Sequence, residues 1–228
     1  MSFIVIEGLD GSGKSTQLQR LRDHLSRHGI DHFFLHFPRT DAPVFGEMIA
    51  RFLRGELGKI EDVDPYLVAL LYAGDRMDAA GLIRRERENR QVVLVDRYVY
   101  SNIAFQCAKL EDSKEQEKLR DWILHMEYEH FRIPKPDLNI FLDVPFSFTV
   151  EKLKERQQSE IRKYLEGQQD IHEKDLTFQQ KVRDIYLRFA ATQPDCISIP
   201  CYDEREKILP ADRIFEKIVK VLKENKIL

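Results

Sequence analysis

Short apolar runs recur along the chain, and most are followed by a stretch with helical spacing. Residues 3–7, 32–37, 91–95, 138–142 and 196–199 have the length and composition of strands buried on both faces. Between them, residues 14–28 place Leu18, Leu21 and Leu25 on one helical face, and Gly29 ends that helix. Residues 42–53 gather Val44, Phe45, Met48, Ile49, Phe52 and Leu53 on one side. A long helix is predicted from Pro65 to about Asn89, with Asp64 as its cap. Further helices are predicted over 113–130, 146–156, 176–191 and 212–225, and 98–106 reads as a loop entering a helix. Strands alternating with helices predict one α/β domain over 1–228, with a parallel five-stranded sheet covered on both faces and right-handed crossovers.

The first strand runs into Gly8-Leu9-Asp10-Gly11-Ser12-Gly13-Lys14-Ser15-Thr16, which fits the P-loop pattern G-x-x-x-x-G-K-[ST]. Phosphates need backbone N–H groups turned toward them, and glycines at 8, 11 and 13 let the chain wrap inward with positive φ. A helix starting near Lys14 would place its positive dipole end under the phosphates. Lys14 would reach the β and γ phosphates, and the Ser15 hydroxyl would ligate Mg²⁺. Asp96, at the end of the third strand, stands where a magnesium-linked acid of a P-loop fold is expected.

The chain has 228 residues, 43% hydrophobic and 33% charged, with a net charge of −3. That balance predicts a globular protein and argues against nucleic-acid binding through a broad basic surface. Three unpatterned cysteines suggest neither a zinc site nor a disulfide framework, and a reducing cytoplasm fits them. No signal peptide or membrane span is expected. An anionic substrate would have to be held by local cations. Arg39, after the second strand, is either such an anion contact or a solvated loop charge. Arg97, after the third, is suited to an acceptor phosphate. Arg76 lies inside an apolar helical face and calls for an anionic or hydrogen-bonding partner. A phosphate acceptor is already ionised near neutral pH, so transfer to it needs alignment and positive charge more than a general base.

Together, IEGLDGSGKST at the P-loop, FPR at 37–39, LLYAGDR at 70–76 and DRYVYSNIAFQ at 96–106 resemble thymidylate kinase, a family of P-loop nucleoside monophosphate kinases. The resemblance spans nearly the whole chain. It implies ATP and dTMP as substrates, ADP and dTDP as products on the route to dTTP, and Mg²⁺ as cofactor. It makes Phe37, Arg39 and Arg97 part of the dTMP site, with both arginines on the phosphate. Asp10 becomes a contact on the acceptor side, Tyr72 the ring stacked on thymine, and Arg76 a hydrogen-bond partner of the base. Ser101 and Asn102 would read the base edge, Phe105 would crowd the sugar 2′ position, and Gln106 would neighbour the nucleotide. A homodimer formed through helix packing is also implied, with apolar faces near 67–71 and 122–126 available.

The P-loop interior carries no basic residue, so the resemblance implies a cation from a lid over the polar run 156–175. Arg156 and Arg162 are its candidates, and Lys163 lacks their planar fork. Ile171 stands where an Arg often follows the lid aspartate, and Glu173 is a candidate for arranging magnesium or the acceptor phosphate. Composition alone would equally fit a solvated helix pair there. Two other functions compete: a kinase for another nucleotide or a deoxynucleoside, and a non-enzymatic nucleotide switch. The absence of a guanine-reading N-K-x-D stretch counts against the switch.

Overall fold

The computed structural model describes residues 1–60, 62–159, 165 and 170–228, apart from the side chains of 156–159, 173 and 174. Among the described residues a five-stranded sheet forms from β1 (Ser2–Glu7), β2 (His32–His36), β3 (Val92–Asp96), β4 (Leu138–Asp143) and β5 (Cys196–Pro200). All its pairings are parallel and the spatial order is β2-β3-β1-β4-β5. The central strand β1 pairs with β3 on one side and β4 on the other, so the order reverses across it. Crevices at such reversals, beyond the carboxyl ends of the strands, are where open α/β sheets bind ligands.

The alternation of β1 divides the core. Phe3 and Val5 join a cluster with Ile83, Ile103, Val182 and Tyr186, while Ile4 and Ile6 join one with Leu18, Leu21, Ile218 and Leu222. The first face is covered by α3 (Pro65–Asn89), α4 (Val99–Cys107) and α8 (Leu176–Thr192), the second by α1 (Lys14–Arg27) and α9 (Ala211–Glu224). A smaller cluster of Ile49, Phe52, Leu53, Val68 and Leu165 joins α2 (Phe45–Leu53) to α3, and Ile171 packs on it. The remaining helices are α5 (Ser113–Leu124), α6 (Phe146–Ser159) and the short α7 (Ile171–Lys174).

Aspartate caps mark the starts of three helices. The Asp64 carboxylate accepts hydrogen bonds from the backbone N–H groups of Tyr66 and Leu67, and Pro65 opens α3. Asp112 and Asp175 cap α5 and α8 in the same way. Two boundaries differ from the periodicity. The helix expected from residue 42 begins at Phe45, because Val44 takes φ 62° and breaks the run. The helix expected over 113–130 is α-helical only to Leu124 and continues as a π-helical turn over His125–His130. Such wide turns cluster at functional sites, and this one turns Glu127 into the core.

Helix α2 packs on α3 with almost no clearance. A Cβ at Gly74 would come within 2.2 Å of the Phe45 ring, whereas one at Gly81, on the same helix, would meet nothing within 4 Å. Overpacking costs about 1–3 kcal/mol, against a helix-propensity gain of about 1 kcal/mol for Gly→Ala. Gly74→Ala is therefore expected to lower the denaturation midpoint and Gly81→Ala to raise it. Equal shifts in urea unfolding curves would contradict this packing.

Candidate functional site

The P-loop leaves β1 after the buried Glu7. Gly11 and Gly13 take left-handed backbone conformations, φ 74° and 77°, and Gly13 is the N-cap of α1. Gly8 does not take positive φ as the sequence suggested. A side chain there would crowd the loop, since its Cβ would lie 2.8 Å from Ser12 Oγ, which would have to shift. The backbone therefore turns its amides inward at the start of α1, where the helix dipole favours an anion.

A cleft of about 400 Å³ joins this loop to the ends of β2 and β3 and to one side of α3 and α4. P-loop residues 9–15 line one end. Tyr72, Arg76, Asn102, Phe105 and Gln106 line the other, with Phe37, Asp96, Arg97 and Ser101 between them. Gly8 and Thr16 of the motif do not line it. Apart from these two, the sequence-predicted donor and acceptor residues among the described side chains share one cavity, except Arg39. Arg39 donates from Nε to Asp75 Oδ1 at 2.8 Å, and from Nη2 to the Asp75 carbonyl at 2.9 Å and to Asp78 Oδ2 at 2.6 Å. These carboxylates on α3 hold its guanidinium outside the cleft lining, while its neighbours Phe37, Pro38 and Thr40 form the wall.

Lys14 is buried, and its Nζ lies 2.7 Å from Asp96 Oδ1. Burial lowers the Lys14 pKa, and the adjacent Asp96 works against that shift. Burial would raise the Asp96 carboxyl, yet Lys14 and a 2.8 Å contact from His36 Nδ1 hold it well below the usual carboxylate range. The two stay a charged pair at the mouth of the P-loop.

Arg97 takes φ 65°, a left-handed conformation uncommon for a bulky residue and frequent at functional sites. Its Nη2 donates to Asp10 Oδ1 at 2.8 Å, and its guanidinium lies 5.1 Å from the centre of the Phe105 ring. Burial opposes its charge, but Asp10, Asp96 and Glu7 raise its pKa further, so it remains a permanent cation in the cleft. Glu7 fixes the segment that carries it. Its Oε1 accepts from the backbone N–H groups of Tyr98 and Ser101, at 2.9 and 3.3 Å. Its Oε2 accepts from the Ser101 hydroxyl at 2.5 Å and the Tyr186 hydroxyl at 2.9 Å. The Ser101 hydroxyl also accepts from Arg97 Nη1 at 3.3 Å. The hydroxyl expected to read a base edge is thus engaged in holding Glu7 and Arg97 together.

Arg76 has the anionic partner its apolar surroundings require. It forms a buried fork with Glu127, Nε to Oε2 at 2.6 Å and Nη2 to Oε1 at 2.7 Å, and Nη1 takes no part in it. Asn102 Nδ2 donates to the same carboxylate and to the Ala69 carbonyl, both at 3.0 Å. Asn102 Oδ1 and Gln106 Oε1 are buried without a hydrogen-bond partner among the described residues. Unpaired buried acceptors are costly, and here both belong to residues lining the cleft.

Sequence reading missed Glu7, Glu127, His36, His172 and Gln179. The available signal was a carboxylate at the end of one apolar run and another between Met126 and Tyr128. The Arg162 and Lys163 expectations lie outside the described residues, as do the side chains of Arg156 and Glu173. Ile171 packs against the α2–α3 cluster.

The family model for thymidylate kinase matches residues 6–209. A thymidylate kinase of Mycobacterium tuberculosis (strain CDC 1551 / Oshkosh) is 32% identical over 83% of this chain and 86% of its own length. A probable thymidylate kinase of Thermococcus kodakarensis is also 32% identical, over 90% of this chain and 92% of its own. The structure of a thymidylate kinase from Candida albicans superposes with a TM-score of 0.69 at 23% identity, covering 99% of this chain and 92% of that one, and so shares its fold. With the whole P-loop and the strand-end arginine inside the matched region, the chain belongs to the thymidylate kinase family.

Proposed function

We infer that the protein phosphorylates dTMP to dTDP with ATP. Family membership supports the reaction, and the observation that carries the geometry is a single cleft with the P-loop at one end and Arg97 beside it. ATP would lie with its β and γ phosphates on the amides of residues 11–15 and on Lys14. The acceptor phosphate would take the position facing Arg97, where a guanidinium can bind two oxygens in parallel. An ionised oxygen of dTMP would then bond to the γ-phosphorus as the bond to the β-phosphate bridging oxygen breaks, releasing ADP. The protein contributes alignment and fixed positive charge. The base would lie toward Tyr72, with Arg76, steadied by Glu127, and Asn102 offering polar contacts to its edge.

The donor set suits Mg²⁺. Among the described residues no three His, Cys, Asp or Glu side chains cluster as a protein-only metal site. Asp96 and the Ser15 hydroxyl offer hard oxygens in the same cleft, and magnesium commonly takes few protein ligands and completes its shell with phosphates and water. Bound there, the ion would neutralise charge on the phosphate oxygens. Lys14, held 2.7 Å from Asp96 in the same cleft, would offer its ammonium to the phosphates.

A homodimer is the assembly we propose. Leu67, Leu70 and Met77 remain exposed along one face of α3, and Trp122 of α5 is exposed beside them, its ring 4.9 Å from that of Tyr66. Contiguous exposed apolar residues of this kind mark interaction surfaces. No helix among the described residues is long and apolar enough to cross a membrane, and three buried, unpaired cysteines fit a cytoplasmic location.

Coupled ADP release with ATP and a panel of nucleoside monophosphates tests the reaction. dTMP is expected to give the highest kcat/KM, and Arg97→Ala to reduce it by roughly 2–5 kcal/mol in transition-state binding. A preference for an unphosphorylated nucleoside, indifferent to Arg97→Ala, would refute the reading. Light scattering on Leu67→Glu tests the assembly: the wild type should be dimeric and the variant shifted toward monomer, and a wild-type monomer would exclude the dimer.

A further inference from the structure

Strand pairing sets His36 beside Asp96. The two are partners in the parallel register of β2 on β3, each at the last position of its strand. The Phe37 N–H donates to the Asp96 carbonyl at 3.0 Å and continues the ladder one residue further. Side chains alternate along a strand, so partnered positions of neighbouring strands leave the sheet on the same face. The backbone therefore brings the imidazole to the carboxylate, and both side chains line the cleft.

Asp96 is gripped through both of its oxygens. Lys14 Nζ lies 2.7 Å from Oδ1, and His36 Nδ1 lies 2.8 Å from Oδ2. An ionised carboxylate only accepts, so Nδ1 is the donor. The two grips differ in kind. Lys14 is buried and has the phosphates of a bound nucleotide to serve, whereas His36 is half-exposed and hydrogen-bonds only Asp96 through its ring among the described residues. A carboxylate held through one oxygen can still turn about its Cβ–Cγ bond, a broad torsion. A charge-assisted hydrogen bond to the other oxygen stops that rotation.

Carboxylates that hold metal ions are themselves oriented by hydrogen bonds, and loss of such a partner costs about 10–100-fold in metal affinity or activity. We propose that His36 is a positioning residue on the donor side: by holding Asp96 Oδ2 it fixes the carboxylate in the orientation that it offers to Mg²⁺ on ATP. This deepens the reading of Asp96 as a magnesium-side oxygen donor and rests on it.

Calorimetric titration with ATP, in the presence of Mg²⁺ or of a chelator and without dTMP, tests the proposal. In the wild type, Mg²⁺ is expected to tighten ATP binding by about tenfold or more. His36→Phe keeps a ring but no donor. It should lose most of that gain and still bind metal-free ATP as the wild type does. His36→Asn places an amide nitrogen as many bonds from the backbone as Nδ1, and should restore part of the gain. Loosened packing at the strand end would instead weaken both arms alike. Equal losses in the two arms, or a His36→Phe protein that keeps the full gain, overturn the inference alone. A wild type whose ATP affinity is indifferent to Mg²⁺ overturns the magnesium reading, and the inference falls with it.

Discussion

The structure turns on one buried carboxylate. Glu7 ends the central strand, is 0% exposed, and accepts from two backbone amides and two hydroxyls that belong to α4, its approach and α8. Burial raises its pKa, and the Ser101 hydroxyl, Arg97 and the Tyr98 amide work against that shift. A polar group so deep costs free energy unless its acceptor sites are filled, and filling them locks the turn after β3 to the strand that launches the P-loop. The left-handed Arg97 is tolerable in this setting, because the surrounding bonds over-determine its backbone.

Charge is arranged in alternation around that lock. Lys14 pairs with Asp96, Arg97 with Asp10, and Arg76 with Glu127. Each cation is thereby held in a dry site where an unpaired charge would be expensive, and each faces the same cleft. In the proposed reaction, two phosphates brought together there would meet cations that are already oriented, which would limit reorganisation during transfer. Arg39 does a different task in this structure. Bound to Asp75 and Asp78, it fastens the Phe37–Thr40 wall to α3.

The strands, the P-loop and most helix bounds were legible because they depend on local signals: apolar runs, caps such as Asp64-Pro65, and glycines at forced turns. Arg76 announced a partner by its surroundings but not which one, since Glu127 is 51 residues away and enters through a π-helical turn that 3.6-residue periodicity hides. Ser101 was read as a base contact because nothing local ties it to Glu7, 94 residues earlier. His172 and Gln179 were silent for the same reason. His172 lies in a charged run, and only the packing of α7 against Phe52, Phe105 and Phe178 turns the imidazole inward. Sequence thus marked residues that line the cleft, and long-range contacts decided how each of them is held there.

That Glu7 acts on catalysis through Arg97 is the central claim, and a double-mutant cycle addresses it directly. Glu7→Gln, Arg97→Ala and the pair would be compared in kcat/KM for dTMP, with circular dichroism confirming that each variant is folded. Residues in one hydrogen-bond network couple by about 0.5–3 kcal/mol. The account predicts coupling in that range, with Glu7→Gln costing little once Arg97 is gone. Strictly additive losses would show that the two residues act independently and would contradict it.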